Sequence, residues 1–155
     1  MLVVTVVVGA LTVLGSGVAS ADRPVPRLTV YSETLGMFGD HDFCRGAVHV
    51  GLTTPTTKRG VLRLTLKSYG FIGNGSGWQR NPHCRVLVDA VTTSANNLYK
   101  ETFIAATFGA RPGQLVIRDI YTGSGPVSIG VNPYARDTPI RAPQGQAVGA
   151  MVLVP

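Results

Sequence analysis

Two imidazoles and two carboxylates stand beside the cysteines of this chain. The run Gly39-Asp40-His41-Asp42-Phe43-Cys44 sets His41 between Asp40 and Asp42, and His83 directly precedes Cys84. A disulfide between Cys44 and Cys84 draws His83 towards His41. Imidazole nitrogen and carboxylate oxygen, both ligands of divalent transition metals, can then converge. His41, Asp40, Asp42 and His83 are the candidate metal ligands of one reading, a small metal-binding protein or hydrolase. The spacing lacks the fixed helical geometry of His-Glu-x-x-His, and turn hydrogen bonds from Asp40 and Asp42 explain the same residues more simply.

A second group runs from Tyr69 to Arg80, where Tyr69, Phe71 and Trp78 frame four glycines with Asn74, Gln79 and Arg80 at hand. Sugar rings stack on exposed aromatic faces while amides and guanidinium groups bind their hydroxyls. Trp78, Asn74, Arg80 and Tyr69 are therefore the candidate ligand-binding residues for a glycan or protein partner. A long hairpin whose aromatics fold back to cap the core is the competing reading, and it suits Tyr69 and Phe71 best. Nucleophilic catalysis finds little support. Gly123-Ser124-Gly125 only resembles part of a nucleophile elbow, since Thr122 and Pro126 stand where the two glycines of Gly-x-Ser-x-Gly belong. Glu33, Asp89, Glu101, Asp119 and Asp137 are scattered along the chain, and phosphate-loop and dinucleotide motifs are missing. No catalytic residue and no cofactor is expected.

Cys44 and Cys84 are the only cysteines. Their redox state depends on compartment, and the N-terminus speaks to that. Leu2 to Leu14 is a nearly unbroken apolar run, followed by Gly15, Ser16, Gly17 and then Val18-Ala19-Ser20-Ala21. This reads as a secretory signal spanning residues 1–21 with cleavage after Ala21, although no Lys or Arg precedes the apolar core. The run falls short of the roughly 20 apolar residues that a membrane span requires, so no stable span is expected after cleavage. Export implies an oxidising environment and a Cys44–Cys84 disulfide. Closing its 40-residue loop is worth about 4 kcal/mol on the chain-entropy model.

The 14 Lys and Arg residues and 8 Asp and Glu residues all follow Ala21, so the remainder carries the whole net charge of +6. Lys58-Arg59 is the only basic doublet, whereas nucleic-acid binding calls for a stripe or patch. No nucleic-acid partner is expected. An anionic envelope surface is the more natural target, through screened long-range attraction. An apolar fraction of 45% excludes a disordered chain, and 155 residues leave no room for a separate cofactor module. In its signal and its richness in Ala, Val, Gly, Pro and Arg, the chain is similar to exported proteins of actinobacteria.

The elements that must position these residues are strands. Short β-branched and aromatic runs recur at Arg27–Glu33, Ala47–Thr53, Val61–Tyr69, Cys84–Thr92, Leu98–Phe108, Gln114–Thr122, Val127–Val131 and Ala147–Val154, separated by Gly, Pro, Asn and Ser. Leu62, Leu64 and Leu66 share one face of their strand and Arg63, Thr65 and Lys67 the other, the period of a half-buried strand. Phe103–Phe108 is apolar on both faces and is expected to lie centrally. Residues 133–145, with three prolines, read as a long surface connection. The pattern predicts a single all-β domain over residues 22–155, an antiparallel β-sandwich of about eight strands with one disulfide, and a small closed barrel as the alternative. It resembles an immunoglobulin domain in architecture only. The core Trp of such domains lies in a strand between the cysteines, whereas Trp78 sits in the glycine-rich segment just before Cys84.

The function expected is that of an exported, non-enzymatic binding or interaction module of the bacterial cell envelope or extracellular space. Its partner would be an envelope polysaccharide or an extracellular protein. Besides the metal-binding or hydrolase reading, a structural protein that self-associates through an edge strand at Ala147–Val154 is the further alternative.

Overall fold

The computed structural model describes residues 22–155, and the signal expected over 1–21 lies outside the described residues. Within them the chain forms ten strands and one short helix. In chain order these are β1 (Arg23–Pro24), β2 (Arg27–Val30), β3 (Thr34–Phe38), β4 (Arg45–Thr54), β5 (Val61–Ile72), α1 (Gly75–Arg80), β6 (His83–Ser94), β7 (Lys100–Gly109), β8 (Leu115–Tyr121), β9 (Gly125–Tyr134) and β10 (Val148–Val154). Two five-stranded antiparallel sheets result. One runs β1-β4-β5-β8, with β3 also paired to β4, and the other runs β2-β10-β9-β6-β7. The protein is a β-sandwich, as the alternation of its strands implies.

That alternation decides which face each strand buries. Leu62, Leu64 and Leu66 are wholly buried, and Val48, Val50 and Leu52 face the same core from β4. Val86, Val88, Ile104, Phe108, Ile129 and Val152 meet them from the second sheet. Each fully buried side chain of this size contributes roughly 1.5–3 kcal/mol. Phe71 and Phe108 stack across the sheets with centroids 5.4 Å apart. Next to them, Cys44 and Cys84 form the expected disulfide, with Cα atoms 5.6 Å apart and both residues buried. The bridge joins the segment entering β4 in one sheet to β6 in the other, so it fastens the sandwich at one end.

Three details differ from the sequence reading. The run Phe103–Phe108 lies in β7, at the edge of its sheet, not at the centre. On its outer face Ala105 and Thr107 are exposed, and only Phe103 is half-buried, beneath the connection after β9: the Arg141 guanidinium carbon lies 4.0 Å from the Phe103 ring centre, and Arg136 Nη1 donates to the Ala106 carbonyl. The Ala147–Val154 strand is no edge either, because β10 pairs with β9 on one side and β2 on the other. Leu98 stays outside β7 and is exposed. Among the described residues no helix is long and apolar enough to cross a membrane.

Candidate functional site at the disulfide end

Four connections gather where the disulfide closes the sandwich: 39–44, 73–82, 110–114 and 135–147. The first is shaped by a tight reversal. Gly39 N–H donates to the Cys44 carbonyl and Cys44 N–H to the His41 carbonyl, each at 2.9 Å. Gly39 lies so close to the bridge that a Cβ there would stand 2.5 Å from Cys84 Sγ, so only glycine fits. Asp42 and Phe43 take left-handed conformations, with φ of 45° and 51°. For residues other than glycine this costs about 1–2 kcal/mol each. The reversal turns Cys44 into the core and leaves Phe43 64% exposed.

The candidate metal ligands do not assemble as one donor set. Asp40 Oδ2 accepts the backbone N–H groups of Arg136 and Asp137, the latter at 2.7 Å, and so anchors the 135–147 connection. His41 Nε2 lies 2.9 Å from the Asn81 carbonyl and 3.1 Å from Asp42 Oδ2. His83 Nδ1 lies 2.5 Å from Asn81 Oδ1, so Asn81 stands between the two imidazoles. Among the described residues no three His, Cys, Asp or Glu side chains form a metal-binding group. The Asp40 carboxylate is thus a long-range anchor and not the maker of the local turn hydrogen bonds expected of it.

The aromatic loop is more ordered than a glycine-rich hairpin implies. Residues 75–80 form the single helical turn α1, and Trp78 sits on it half-buried, its indole against Gly73 and its edge on the core. A side chain at Gly73 would collide with that ring. Asp42 fits against Gly77 in the same way, and its carbonyl receives Asn74 N–H at 2.9 Å. Arg80 ends the turn in solvent, and Tyr69 is 55% exposed on the outer face of β5.

Strand register assembles a different surface there. Phe38 of β3 lies opposite Arg45 of β4, which lies opposite Ile72 of β5, all on the outer face. Phe43 folds beside them, its ring centre 5.5 Å from that of Phe38 and 5.4 Å from the Arg45 guanidinium carbon. Arg45 Nη1 also donates to Asn74 Oδ1 at 3.3 Å. Phe38, Phe43 and Ile72 are all exposed, so three large apolar side chains and one cation form a contiguous face. Of the sequence candidates only Asn74 belongs to it. Phe38, Phe43, Arg45 and Ile72 were not singled out from the sequence; the one available signal was the alternation of Leu35 and Met37 with Gly36 and Phe38, which turns Phe38 outward once a strand is recognised there.

The opposite end is electrostatic. Asp119 accepts from Arg63 Nε at 2.6 Å, Arg63 Nη2 at 2.9 Å and Lys58 at 3.1 Å, while Arg63 Nη1 reaches Asp22 at 2.7 Å. Hydrogen bonds from Arg63 hold the Asp119 carboxyl down at about 2. A neighbouring cleft of about 240 Å³ is lined by Arg23, Thr54, Pro55, Lys58, Arg59 and Pro155.

The chain matches no protein-family model, no curated protein and no solved structure.

Proposed function

We propose that the protein is an exported binding module that docks a protein partner through the face built from Phe38, Phe43, Arg45, Ile72 and Asn74. The observation that carries this reading is Phe43. The backbone accepts a left-handed conformation there, and the result is an aromatic ring held in water beside a second ring and a guanidinium. Aromatic residues and Arg dominate the centres of protein interfaces, where burial of rings supplies most of the binding energy. Trp78, the natural platform for a sugar ring, is packed against Gly73, so the apolar rings favour a protein over a glycan. A disulfide joining the sheets accords with an oxidising, extracytoplasmic setting.

A photo-crosslinking residue in place of Phe43, in cells that export the protein, tests the reading against the same residue at Thr93, an exposed position in the other sheet. A discrete adduct from position 43, absent from position 93 and abolished by Arg45→Glu, is the expected outcome. Equal labelling from both positions, or co-sedimentation with envelope polysaccharide that depends on Trp78 and not on Phe43, overturns it.

A further inference from the structure

Asp89 is out of place. In β6 the inward positions are Cys84, Val86, Val88, Ala90 and Thr92, so Asp89 belongs to the outer face, yet it is only 2% exposed. Among the described residues its Oδ1 is the one buried side-chain nitrogen or oxygen without a hydrogen-bond partner. Buried charges are normally paired, neutralised or bound to a cation, because leaving one unpaired is among the costliest defects a fold can carry.

Register supplies its neighbours. Phe103 of β7 and Asn132 of β9 lie directly opposite Asp89 on either side, and Glu101 lies opposite Val91, diagonal to Asp89 on the same face. Directly opposed side chains on one face have Cβ atoms about 5 Å apart, and diagonal neighbours about 7–8 Å. Two carboxylates and one amide oxygen thus share a patch. Desolvation first, and then the charge of Glu101, raises the Asp89 carboxyl above its ordinary range, while the Thr102 backbone and Arg141 act the other way. Arg141 is nearby, but its guanidinium is placed over the Phe103 ring. Glu101 is exposed and accepts from the Tyr99 hydroxyl at 2.7 Å. Tyr99 and Tyr134 complete the titratable surroundings.

We propose that Asp89 Oδ1, the Glu101 carboxylate and the Asn132 side-chain oxygen form a binding site for a hard divalent cation of the calcium class. An oxygen-only set with two carboxylates suits such an ion, whereas protein zinc sites nearly always include nitrogen or sulfur ligands. The irregular spread over three strands suits calcium better than magnesium, which demands near-ideal octahedral geometry. Water and carbonyl oxygens would fill the remaining positions. Arg141 flanks the site with a positive charge and weakens it.

The test is calorimetric titration of the oxidised protein with calcium chloride at about 0.1–5 mM, the range of extracellular calcium modules, paired with thermal melting in calcium and in EDTA. Expected are saturable binding at a single site and a higher melting temperature in calcium. Asp89→Asn abolishes both, Glu101→Gln weakens binding roughly tenfold by removing one ligand charge, and Arg141→Ala tightens it. Melting in EDTA verifies that each variant is folded, and Glu101→Gln, on the surface, carries the test should Asp89→Asn fail to fold. A wild-type protein indifferent to calcium, an equal response in Asp89→Asn or Glu101→Gln, or an equal response to magnesium overturns the proposal.

Discussion

Removing the Cys44–Cys84 bridge is the perturbation whose magnitude follows most directly from the fold. The bridge closes a sequence separation of 40 residues and ties β4 of one sheet to β6 of the other. Without it the unfolded chain recovers loop-closure freedom worth about 4 kcal/mol. Folded domains of this size have a total stability of roughly 5–15 kcal/mol. A Cys44→Ala/Cys84→Ala variant should therefore still fold, with a much reduced margin. In urea, with a slope near about 1.5 kcal/mol per M, the unfolding midpoint should fall by roughly 2.5 M. The slope should rise as well, because an uncrosslinked denatured chain exposes more surface. Intrinsic fluorescence of Trp78, packed against the core edge beside the bridge, reports the transition. A midpoint shift below about 1 M at unchanged slope would refute the reasoning. It would mean that the segment between the cysteines stays compact when the rest unfolds, so that the bridge constrains little.

Asp119 is held at about 2 by Arg63, so its contribution to stability is complete above the ordinary carboxylate value near 4 and is lost as pH falls through about 2. With solvent screening of this partly exposed group, Asp119→Asn should cost on the order of 1 kcal/mol at pH 7, a fraction of that near pH 2 and nothing well below it, which acid melting curves of the two proteins would show. Phe43→Gly relieves a left-handed phenylalanine worth about 1–2 kcal/mol but adds backbone entropy to the unfolded state and loses the ring contacts. These terms oppose, so stability should move by less than about 1 kcal/mol while partner crosslinking through this face disappears; a large loss of stability would assign Phe43 to the fold instead of to binding. Gly39→Ala forces a methyl to within 2.6 Å of both Cys84 Sγ and the Arg85 carbonyl, and should lower stability by about 1–3 kcal/mol in urea unfolding, without a matching loss in Gly36→Ala, where the space is open.

Local periodicity exposed most of the architecture. Leu62, Leu64 and Leu66 alternate so cleanly that their face is legible without a structure, and the pairing of two cysteines in one chain required no geometry. What stayed hidden was the lateral order of strands. Apolarity on both faces made Phe103–Phe108 look central, but small Ala105 and Thr107 are tolerated in solvent on the outer face of an edge strand, and the one large outer side chain, Phe103, is half-buried under Arg141. β3 escaped notice because a five-residue strand holding a glycine, with Gly39-Asp40 close behind, carries little β-propensity of its own. It forms because Leu35 and Met37 reach the core and β4 supplies the partner. The Asp89–Glu101 juxtaposition was recoverable in principle. It follows from the hairpin register Thr92 opposite Lys100, but nothing in the intervening Ala95–Tyr99 segment specifies that register from composition alone.

Phe43 and Asp89 both break local rules, one as a strained aromatic in water and the other as a buried carboxylate with one oxygen left without a hydrogen bond. Neither is needed to close the core, since Leu, Val, Ile and Phe side chains already fill both inner faces. Departures of this kind persist where something other than stability maintains them. The two lie on the outer faces of different sheets, Phe43 beside β3 and β4 and Asp89 within β6, so they have no shared contact through which to couple. Distant, independent sites behave additively. Asp89→Asn should consequently leave Phe43-dependent crosslinking intact, and Arg45→Glu should leave the calcium response intact. If either substitution disturbed both, the two departures would belong to one site spanning the disulfide end, linked through Asp40 and the 135–147 connection it anchors.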